Sequence, residues 1–237
     1  MEHSSKKEIG KTILVVAAHP DDEVLGCGAS IAKWTALGNI VHIIIMAEGA
    51  TSRGNVRDRG AVSVELSVLE RSAQQAGEIL GVTSVKLFNL PDNRMDSVDQ
   101  LDVVKIVEQE INQLKPNTVI THHSGDLNID HRIVHEAVMI ACRPQPEHSV
   151  RRILVFEVPS STEWQLLGSR AYFQPNWFED VGKTLEKKIQ ALGVYSSEMR
   201  DWPHARSLQN IRHLSGWRGG SIGCEAAEAF MLIRQLK

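Results

Sequence analysis

Residues 12–23 read TILVVAAHPDDE, and this stretch decides the fold of the 237-residue chain. The apolar run at 12–18 is short, continuous and rich in β-branched residues, which is typical of a strand buried on both faces. Four ionisable side chains follow it within five residues. Ligands of open α/β sheets bind beyond the carboxyl ends of the strands, so chemistry is expected at this segment.

Strand and helix patterns alternate along the chain as far as residue 158. Strands are predicted at 12–18, 40–47, 85–90, 118–121 and 153–158, and helices at 23–37, up to Gly81, at 97–114 and at 130–142. This order predicts right-handed βαβ crossovers. We therefore expect an α/β fold: a Rossmann-like three-layer sandwich with a mostly parallel sheet, helices on both faces and a small C-terminal lobe.

The length suits a single domain over residues 1–237. Its α/β core is expected at about 11–158, and a lobe at about 159–237 is expected to complete the pocket. Beyond Pro159 the pattern loosens, and two or three helices are predicted there. Four of the five tryptophans follow residue 160. They either seal this lobe or form a wall for a ligand.

The charge balance limits the classes of partner. Lys and Arg number 26 against 29 Asp and Glu, a formal net charge of −3, which argues against a nucleic-acid-binding or polybasic membrane surface. The three cysteines form no CxxC pair, and the apolar runs are too short to span a bilayer. The N-terminal residues also lack the apolar stretch of a signal peptide. We expect a cytoplasmic protein without a membrane span.

His19, Asp21 and Asp22 make the first motif a candidate metal site. A helix N-cap explains one of the carboxylates, but not the histidine and both aspartates together. Imidazole and carboxylate are ordinary zinc ligands, and the remaining aspartate can act as a base towards a water molecule. A dinucleotide site is excluded because Ile31 stands where the third glycine of that motif is required.

A second cluster, HHSGDLNIDHRIVH, follows the fourth predicted strand at residues 122–135. His131 and His135 are four residues apart and share a helix face, which alone is a weak sign of a metal site. Two acids and the histidines His122 and His123 strengthen it. Strands one and four are close in many doubly wound sheets, so both motifs can meet at one ion.

The sequence resembles the PIG-L/LmbE-like zinc-dependent N-acetylglucosamine deacetylases over nearly the whole chain. The resemblance rests on AHPDDE at 18–23 and the downstream Asp-His pair, with weaker matches LPDNRMD at 90–96 and AEAF at 227–230. It implies Zn2+ as the cofactor, with His19, Asp22 and His131 as ligands and an open position for water.

The resemblance also assigns two catalytic roles. Asp21 corresponds to the general base that takes the proton of zinc-bound water. Asp130 corresponds to a partner that orients a ligand histidine. The implied reaction removes the acetyl group from an N-acetylglucosamine-type sugar or glycoconjugate, a small-molecule partner.

Asn128 departs from the family pattern. Many members carry His-Pro-Asp-His here, and the first histidine stabilises the oxyanion or protonates the leaving amine. An amide can donate to an oxyanion but cannot deliver a proton. The acid role then falls to Asp21, once it holds the proton of the water, or to His122, His123 or His135; we favour Asp21.

Candidate substrate contacts come from loops at the same edge: Asp92, Arg94, Asn128, His123 and Arg218. Asp92 and Arg94 have an equally plain interpretation as turn residues with a surface ion pair. Two alternative functions stay open. One is the same zinc chemistry on another N-acyl amine, such as a thiol conjugate or an aminoglycoside, and the other is a non-catalytic metal-binding module.

Other charged side chains are weaker candidates. Arg53, Arg57 and Arg59 either meet a phosphate of the substrate or form a solvated loop. Glu228 is expected to be structural. Members of the family are often oligomers, so the resemblance leaves a homo-oligomer open.

Overall fold

The computed structural model describes residues 10–237 apart from 147, 167 and 169, so residues 1–9 of the predicted domain lie outside the description. Within the described residues the strands are β1 Thr12–Ala17, β2 Ile40–Ala47, β3 Ser84–Leu90, β4 Thr118–His122, β5 Arg152–Phe156, β6 Trp177–Asp180 and β7 Ala227–Gln235. The helices are α1 Asp22–Ala36, α2 Ser63–Leu80, α3 Gln100–Leu114, α4 Ile129–Ala141, α5 Leu185–Val194 and α6 Leu208–Gly220.

The strands form one sheet in the order β3-β2-β1-β4-β5-β7-β6. Strands β1 to β5 pair in parallel. Strand β7 runs antiparallel to both β5 and β6. The predicted α/β fold with a mostly parallel sheet is confirmed.

Alternation along β1 builds the two cores. Ile13 and Val15 point into a core shared with α1, α2 and α5, whereas Leu14 and Val16 point into a core shared with α3 and α4. Since successive side chains of a strand point to opposite faces, each face of the sheet is covered by its own helical layer. This is the predicted three-layer sandwich.

The C-terminal segment differs from the prediction of helices alone. It contains α5 and α6, but β6 and β7 extend the sheet beside β5. Strand β7 reads AEAFMLIRQ, and Ala, Glu, Met, Leu, Arg and Gln all favour helix by intrinsic propensity. Pairing on both sides overrides that preference, because strand formation depends strongly on context.

A buried ion pair supports a break in helix α1. Cys27 has a non-helical φ of −148°, which interrupts the backbone hydrogen bonding of the helix. Lys188 Nζ donates to the Leu25 carbonyl at 2.8 Å and lies 2.6 Å from Glu228. Glu228 in turn accepts the N–H of Ser30 at 2.6 Å. The pair thus satisfies backbone groups freed by the break, which is the structural role expected for Glu228.

Candidate active site

Two adjacent parallel strands bring the motifs together. Strand β1 pairs with β4, so the residues after both strands emerge at the same edge of the sheet. His19 follows β1, and His131 lies in the first turn of α4, which follows β4. Asp21, the residue before α1, has a φ of 107°, a left-handed conformation that is costly for a residue other than glycine. Such strain is found where a side chain must be aimed at a site.

Three side-chain atoms form a nearly equilateral triangle. Asp22 Oδ2 lies 3.2 Å from His19 Nδ1 and 3.1 Å from His131 Nε2, and the two histidine nitrogens are 3.3 Å apart. Ligands about 2.0 Å from a tetrahedral zinc ion are about 3.3 Å from one another. Asp22 Oδ1 is buried without a hydrogen-bond partner in the described part of the chain. The donor set and its spacing fit a zinc ion with one open position.

The electrostatics of this triangle favour a cation. Burial lowers the pKa of His131, but the carboxylates of Asp22 and Asp126 outweigh it and raise the pKa to about 9. Burial raises the pKa of Asp22, but His131 and His19 outweigh it and hold that pKa well below its usual range. The carboxylates of Asp22 and Asp126 therefore stabilise positive charge on the imidazole between them. A bound divalent ion would supply positive charge at the same place.

Asp130 orients His19 from the side away from the triangle. Its Oδ2 lies 3.0 Å from His19 Nε2, and its carboxylate accepts the N–H groups of Asn93 and Met95 at 2.7 and 3.0 Å. Asp92 Oδ1 also lies 3.4 Å from His19 Nε2. His19, Asp92 and Asp130 could form a second ligand group, but the backbone donors already occupy Asp130. We interpret this group as support for the ring of His19.

His131 has a corresponding carboxylate that the sequence prediction did not assign. Asp126 Oδ1 lies 3.2 Å from His131 Nδ1, and the Asp126 carboxylate accepts the hydroxyls of Ser161 and Thr162. The ring of His122 stacks on that of His131 with centroids 4.0 Å apart. Asp126 belongs to the second motif, but its spacing from His131 gives no helical or turn rule that would identify the contact.

Asp21 is held by an arginine from the far end of the chain. Arg206 Nη1 donates to Asp21 Oδ2 at 2.8 Å, and Arg206 Nε donates to Ser160 Oγ at 2.7 Å. Burial raises the pKa of Asp21 well above its usual range, against the opposing charge of Arg206. Arg206 lies 185 residues after Asp21, and no motif in the sequence links the two.

A small cavity of about 110 Å³ opens beside the triangle. Of the predicted site residues, His19, Asp21, Asp92 and Asn128 line it. Asn128 caps α4 by accepting the N–H of Asp130 at 2.8 Å, and its Nδ2 donates to Asn93 Oδ1 at 2.8 Å. Asp21 is therefore within reach of a substrate, together with one candidate amide donor.

The other predicted substrate contacts do not line this cavity and have partners elsewhere; they are Arg94, His123 and Arg218. Arg94 Nη2 donates to the carbonyls of Gly54 and Asn55 at 3.1 and 3.0 Å. His123 Nε2 lies 2.9 Å from the carbonyl oxygen of Ala171.

Arg218 forms a two-bond ion pair with Glu157, at 2.8 and 2.7 Å. His135 Nδ1 lies 2.8 Å from the carbonyl oxygen of His122. Neither His122 nor His135 lines the cavity. Among the side chains considered for the acid role, Asp21 is the one that does.

The basic loop after β2 is largely paired within the chain. Arg57 and Arg59 both contact Glu48, with Nε–O distances of 2.7 and 2.8 Å. Arg53 lines the cavity and contacts Glu198 at 2.5 Å. The ion pairs of this loop therefore stabilise the edge of the cavity.

No helix in the described ranges is long and apolar enough to cross a membrane.

Comparisons with known proteins extend these observations. The sequence profile of the PIG-L family, described as GlcNAc-PI de-N-acetylase, matches residues 14–142. "Uncharacterized deacetylase YaiS" of Escherichia coli (strain K12) is 31% identical over 193 residues, which cover 79% of this chain and 91% of that protein. Diacetylchitobiose deacetylase of Thermococcus kodakarensis is 26% identical over 94% of this chain and 83% of its own.

A solved structure has the same fold. The N,N'-diacetylchitobiose deacetylase from Pyrococcus horikoshii superposes with a TM-score of 0.75 at 18% identity. The superposition covers 99% of this chain and 88% of that one.

Proposed function

Because this chain belongs to the PIG-L family of GlcNAc-PI de-N-acetylases, we propose that it is a metal-dependent hydrolase that removes the acetyl group from an N-acetylglucosamine-type sugar or glycoconjugate. The observation that carries the proposal is the triangle of His19, Asp22 and His131 with Asp21 beside it on the cavity wall. The names of the deacetylase relatives support the sugar class.

His19, Asp22 and His131 would hold the metal, for which zinc suits two nitrogens and one carboxylate. Such an ion, when bound, polarises an amide carbonyl and lowers the pKa of a water molecule. Asp130 orients the ring of His19 through its outer nitrogen, and the Asp126 carboxylate lies 3.2 Å from the outer nitrogen of His131. The ligand rings are thus held in position before a substrate arrives.

Asp21 moves the proton of the reaction. Its carboxylate accepts a proton from the attacking water, whose oxygen forms the new bond to the acetyl carbon. Asp21 then delivers that proton to the amine nitrogen as the C–N bond breaks, which yields acetic acid and a free amine. Arg206 holds the carboxylate in position for both transfers. Asn128 lines the same cavity and offers its amide as a donor to the developing oxyanion.

Asp92 is the best-situated group for sugar hydroxyls. It lines the cavity, and its Oδ2 accepts the N–H of Ser52 at 3.0 Å, which fixes the carboxylate. The substrate contacts predicted for Arg94, His123 and Arg218 stay predictions. A cytoplasmic location and a homo-oligomer likewise stay predictions.

The decisive experiment combines metal content with a substrate panel. The purified chain is assayed for acetate release from N-acetylglucosamine, its disaccharide, an N-acetylated thiol conjugate and an N-acetylated aminoglycoside. We expect one zinc per chain, acetate release from a sugar, and loss of at least about 100-fold in kcat for Asp21→Asn, since general-base catalysis contributes about 10²–10⁴-fold. Asp102→Asn, an exposed carboxylate on α3, is the matched control.

The outcomes separate the parts of the proposal. His19→Ala should lose the metal, whereas His42→Ala on β2 should retain it. Full activity in Asp21→Asn would refute the role of Asp21. Metal binding without acetate release from any sugar would refute the proposed substrate class, and release from the thiol conjugate or aminoglycoside alone would assign the alternative one.

A further inference from the structure

The backbone of Asp21 is bound on both sides of its α-carbon. Its φ of 107° is costly for a residue other than glycine, so the surrounding structure must fix it. The Asp21 carbonyl accepts the N–H groups of Val24 and Leu25 at 3.0 and 2.8 Å. The Asp21 N–H donates to Glu23 Oε2 at 3.1 Å. Because φ is the rotation about the N–Cα bond, the contact with Glu23 is the one that opposes a change in φ.

Asp21 and Glu23 depart from the usual arrangement at the start of a helix. An aspartate in this position normally accepts backbone N–H groups of the first turn. The Asp21 side chain makes no such bond, and its Oδ2 accepts Arg206 instead. In a capping box, a first-turn glutamate reaches back to the N–H of the residue before the helix, and Glu23 does so from one position earlier. Glu23 therefore caps the turn while the Asp21 carboxylate stays at the cavity.

Tyr195 fixes the other oxygen of Glu23. The Tyr195 hydroxyl donates to Glu23 Oε1 at 2.6 Å, and both side chains are buried. Tyr195 directly follows α5, and its ring packs in the core shared with α1, α2 and α5. An aromatic ring packed in this way leaves the carboxyl group of Glu23 little freedom to turn. The core is thus linked through Glu23 to the backbone of the proposed base.

The burial of Glu23 indicates a task beyond filling space. Burying a polar group costs free energy unless hydrogen bonds replace those to water, and an alkyl side chain fills the same volume without that cost. Glu23 is only 1% exposed. One of its oxygens satisfies the Tyr195 hydroxyl, and the other acts on the backbone of Asp21.

The left-handed conformation lets two adjacent carboxylates serve one site. Asp22 Oδ2 belongs to the triangle of ligand atoms, while Asp21 lines the cavity. A return of φ to the helical value of about −63° would rotate the Asp21 side chain by nearly half a turn relative to the preceding peptide. The Asp21 carboxylate would then point away from its place on the cavity wall.

We propose that Glu23, held by Tyr195, is a positioning residue that keeps the backbone of Asp21 left-handed and so aims its carboxylate at the reacting amide. This inference rests on the proposed function, in which Asp21 transfers the proton. Arg206 acts on the side chain of Asp21, whereas Glu23 acts on its backbone. Neither Glu23 nor Tyr195 lines the cavity, so their effect passes through Asp21.

The first test measures acetate release by zinc-loaded variants. Tyr195→Phe should lower kcat roughly tenfold, the rate equivalent of one lost hydrogen bond, with KM and zinc content unchanged. Glu23→Gln should retain most of kcat, because its amide oxygen still accepts the Asp21 N–H. The matched control is Tyr172→Phe, since the hydroxyl of this other tyrosine accepts the Gly168 N–H instead.

Combination with Asp21→Asn separates positioning from general destabilisation. A contact that acts through the Asp21 carboxylate loses its effect once that carboxylate is gone. Tyr195→Phe should therefore leave the residual kcat of Asp21→Asn within about twofold. An equal decrease in both backgrounds would overturn the proposal. So would an unchanged kcat, a loss of zinc or a rise in KM alone for the single Tyr195→Phe variant.

A crystal structure of Glu23→Leu tests the geometry without turnover. We expect φ of Asp21 to become negative, and a φ that stays positive would overturn the proposal. If Glu23→Leu does not fold, amide hydrogen exchange of Asp21 in Tyr195→Phe replaces this measurement: faster exchange is expected, and unchanged exchange would overturn the role of Glu23. If no acetylated substrate is hydrolysed, the proposed function fails, but these two measurements still decide whether Glu23 holds the backbone of Asp21.

Discussion

Replacing Arg206 with alanine removes the charge that faces the proposed general base. Arg206 donates to Asp21 Oδ2 at 2.8 Å and to Ser160 at 2.7 Å, so its guanidinium connects the base to the segment after β5. Asp21 is only 1% exposed, and water therefore cannot replace the guanidinium freely. We expect Arg206→Ala to lower kcat more than it changes KM, because a misaligned base slows the proton transfer itself.

The size of the effect follows from the hydrogen bond that the substitution removes. A hydrogen bond to a charged group contributes about 1.5–3 kcal/mol, which corresponds to a decrease of about 10- to 150-fold in rate. The upper part of this range applies where the partner is buried, as Asp21 is. The substitution leaves the three proposed metal ligands unchanged, so the zinc content of the variant should equal that of the parent.

The assay is steady-state acetate release together with metal content and thermal unfolding. Arg206→Lys should recover part of kcat, because an ammonium restores the charge but not the two-bond geometry. Added guanidinium ion should also recover part of the activity of Arg206→Ala. Arg200→Ala is the matched control, since the Arg200 guanidinium donates to the backbone carbonyls of Ser197 and Met199.

A kcat for Arg206→Ala within threefold of the parent would refute the positioning role of Arg206. The same conclusion would follow if Arg206→Ala and Arg200→Ala reduced activity equally, or if guanidinium had no effect while the variant stayed folded. A rise in KM alone would instead make Arg206 a substrate contact.

Three further predictions concern the supports of the site, and chemical denaturation measures each. Lys188→Met should destabilise the fold by about 3–5 kcal/mol, because Glu228 keeps a buried unpaired charge. Adding Glu228→Gln should recover part of this loss. If the losses of the two single variants simply added in the double variant, the interpretation would be wrong. Gly26→Ala should cost about 1–3 kcal/mol, since a new Cβ would lie 2.3 Å from an aromatic ring, whereas Gly193→Ala meets nothing within 4 Å and should cost nothing. Asn128→Ala should cost about 1 kcal/mol because it removes the helix cap, which Asn128→Asp should retain.

The sequence was sufficient for the parallel part of the fold and for the family, both of which are confirmed. Strands β1, β2, β4 and β5 are mostly apolar and buried, and such runs have few other stable environments, whereas β3 alternates polar and apolar residues at the edge of the sheet. Because parallel neighbours end at one edge, the order of the strands predicted that the two motifs meet, and the family resemblance selected His131 rather than His135. The observed distances agree with that expectation.

Long-range contacts carried too little local signal to be predicted. Strand β7 has helix-favouring residues, and only its position between β5 and β6 makes it a strand. Arg206 is one of many arginines in the sequence, and its contact with Asp21 depends on how residues after α5 return to the sheet edge. Asp126 was visible as an acid of the second motif, but its partner was not.

The proposed active site is assembled from two parts of the chain. All three proposed ligands and Asp21 lie within residues 14–142, the segment matched by the family profile. Arg206, which donates to Asp21 Oδ2, lies after that segment. Strands β6 and β7 join this later part of the chain to the sheet beside β5. We infer that the later part positions the proposed base, whereas the earlier part supplies the proposed ligands.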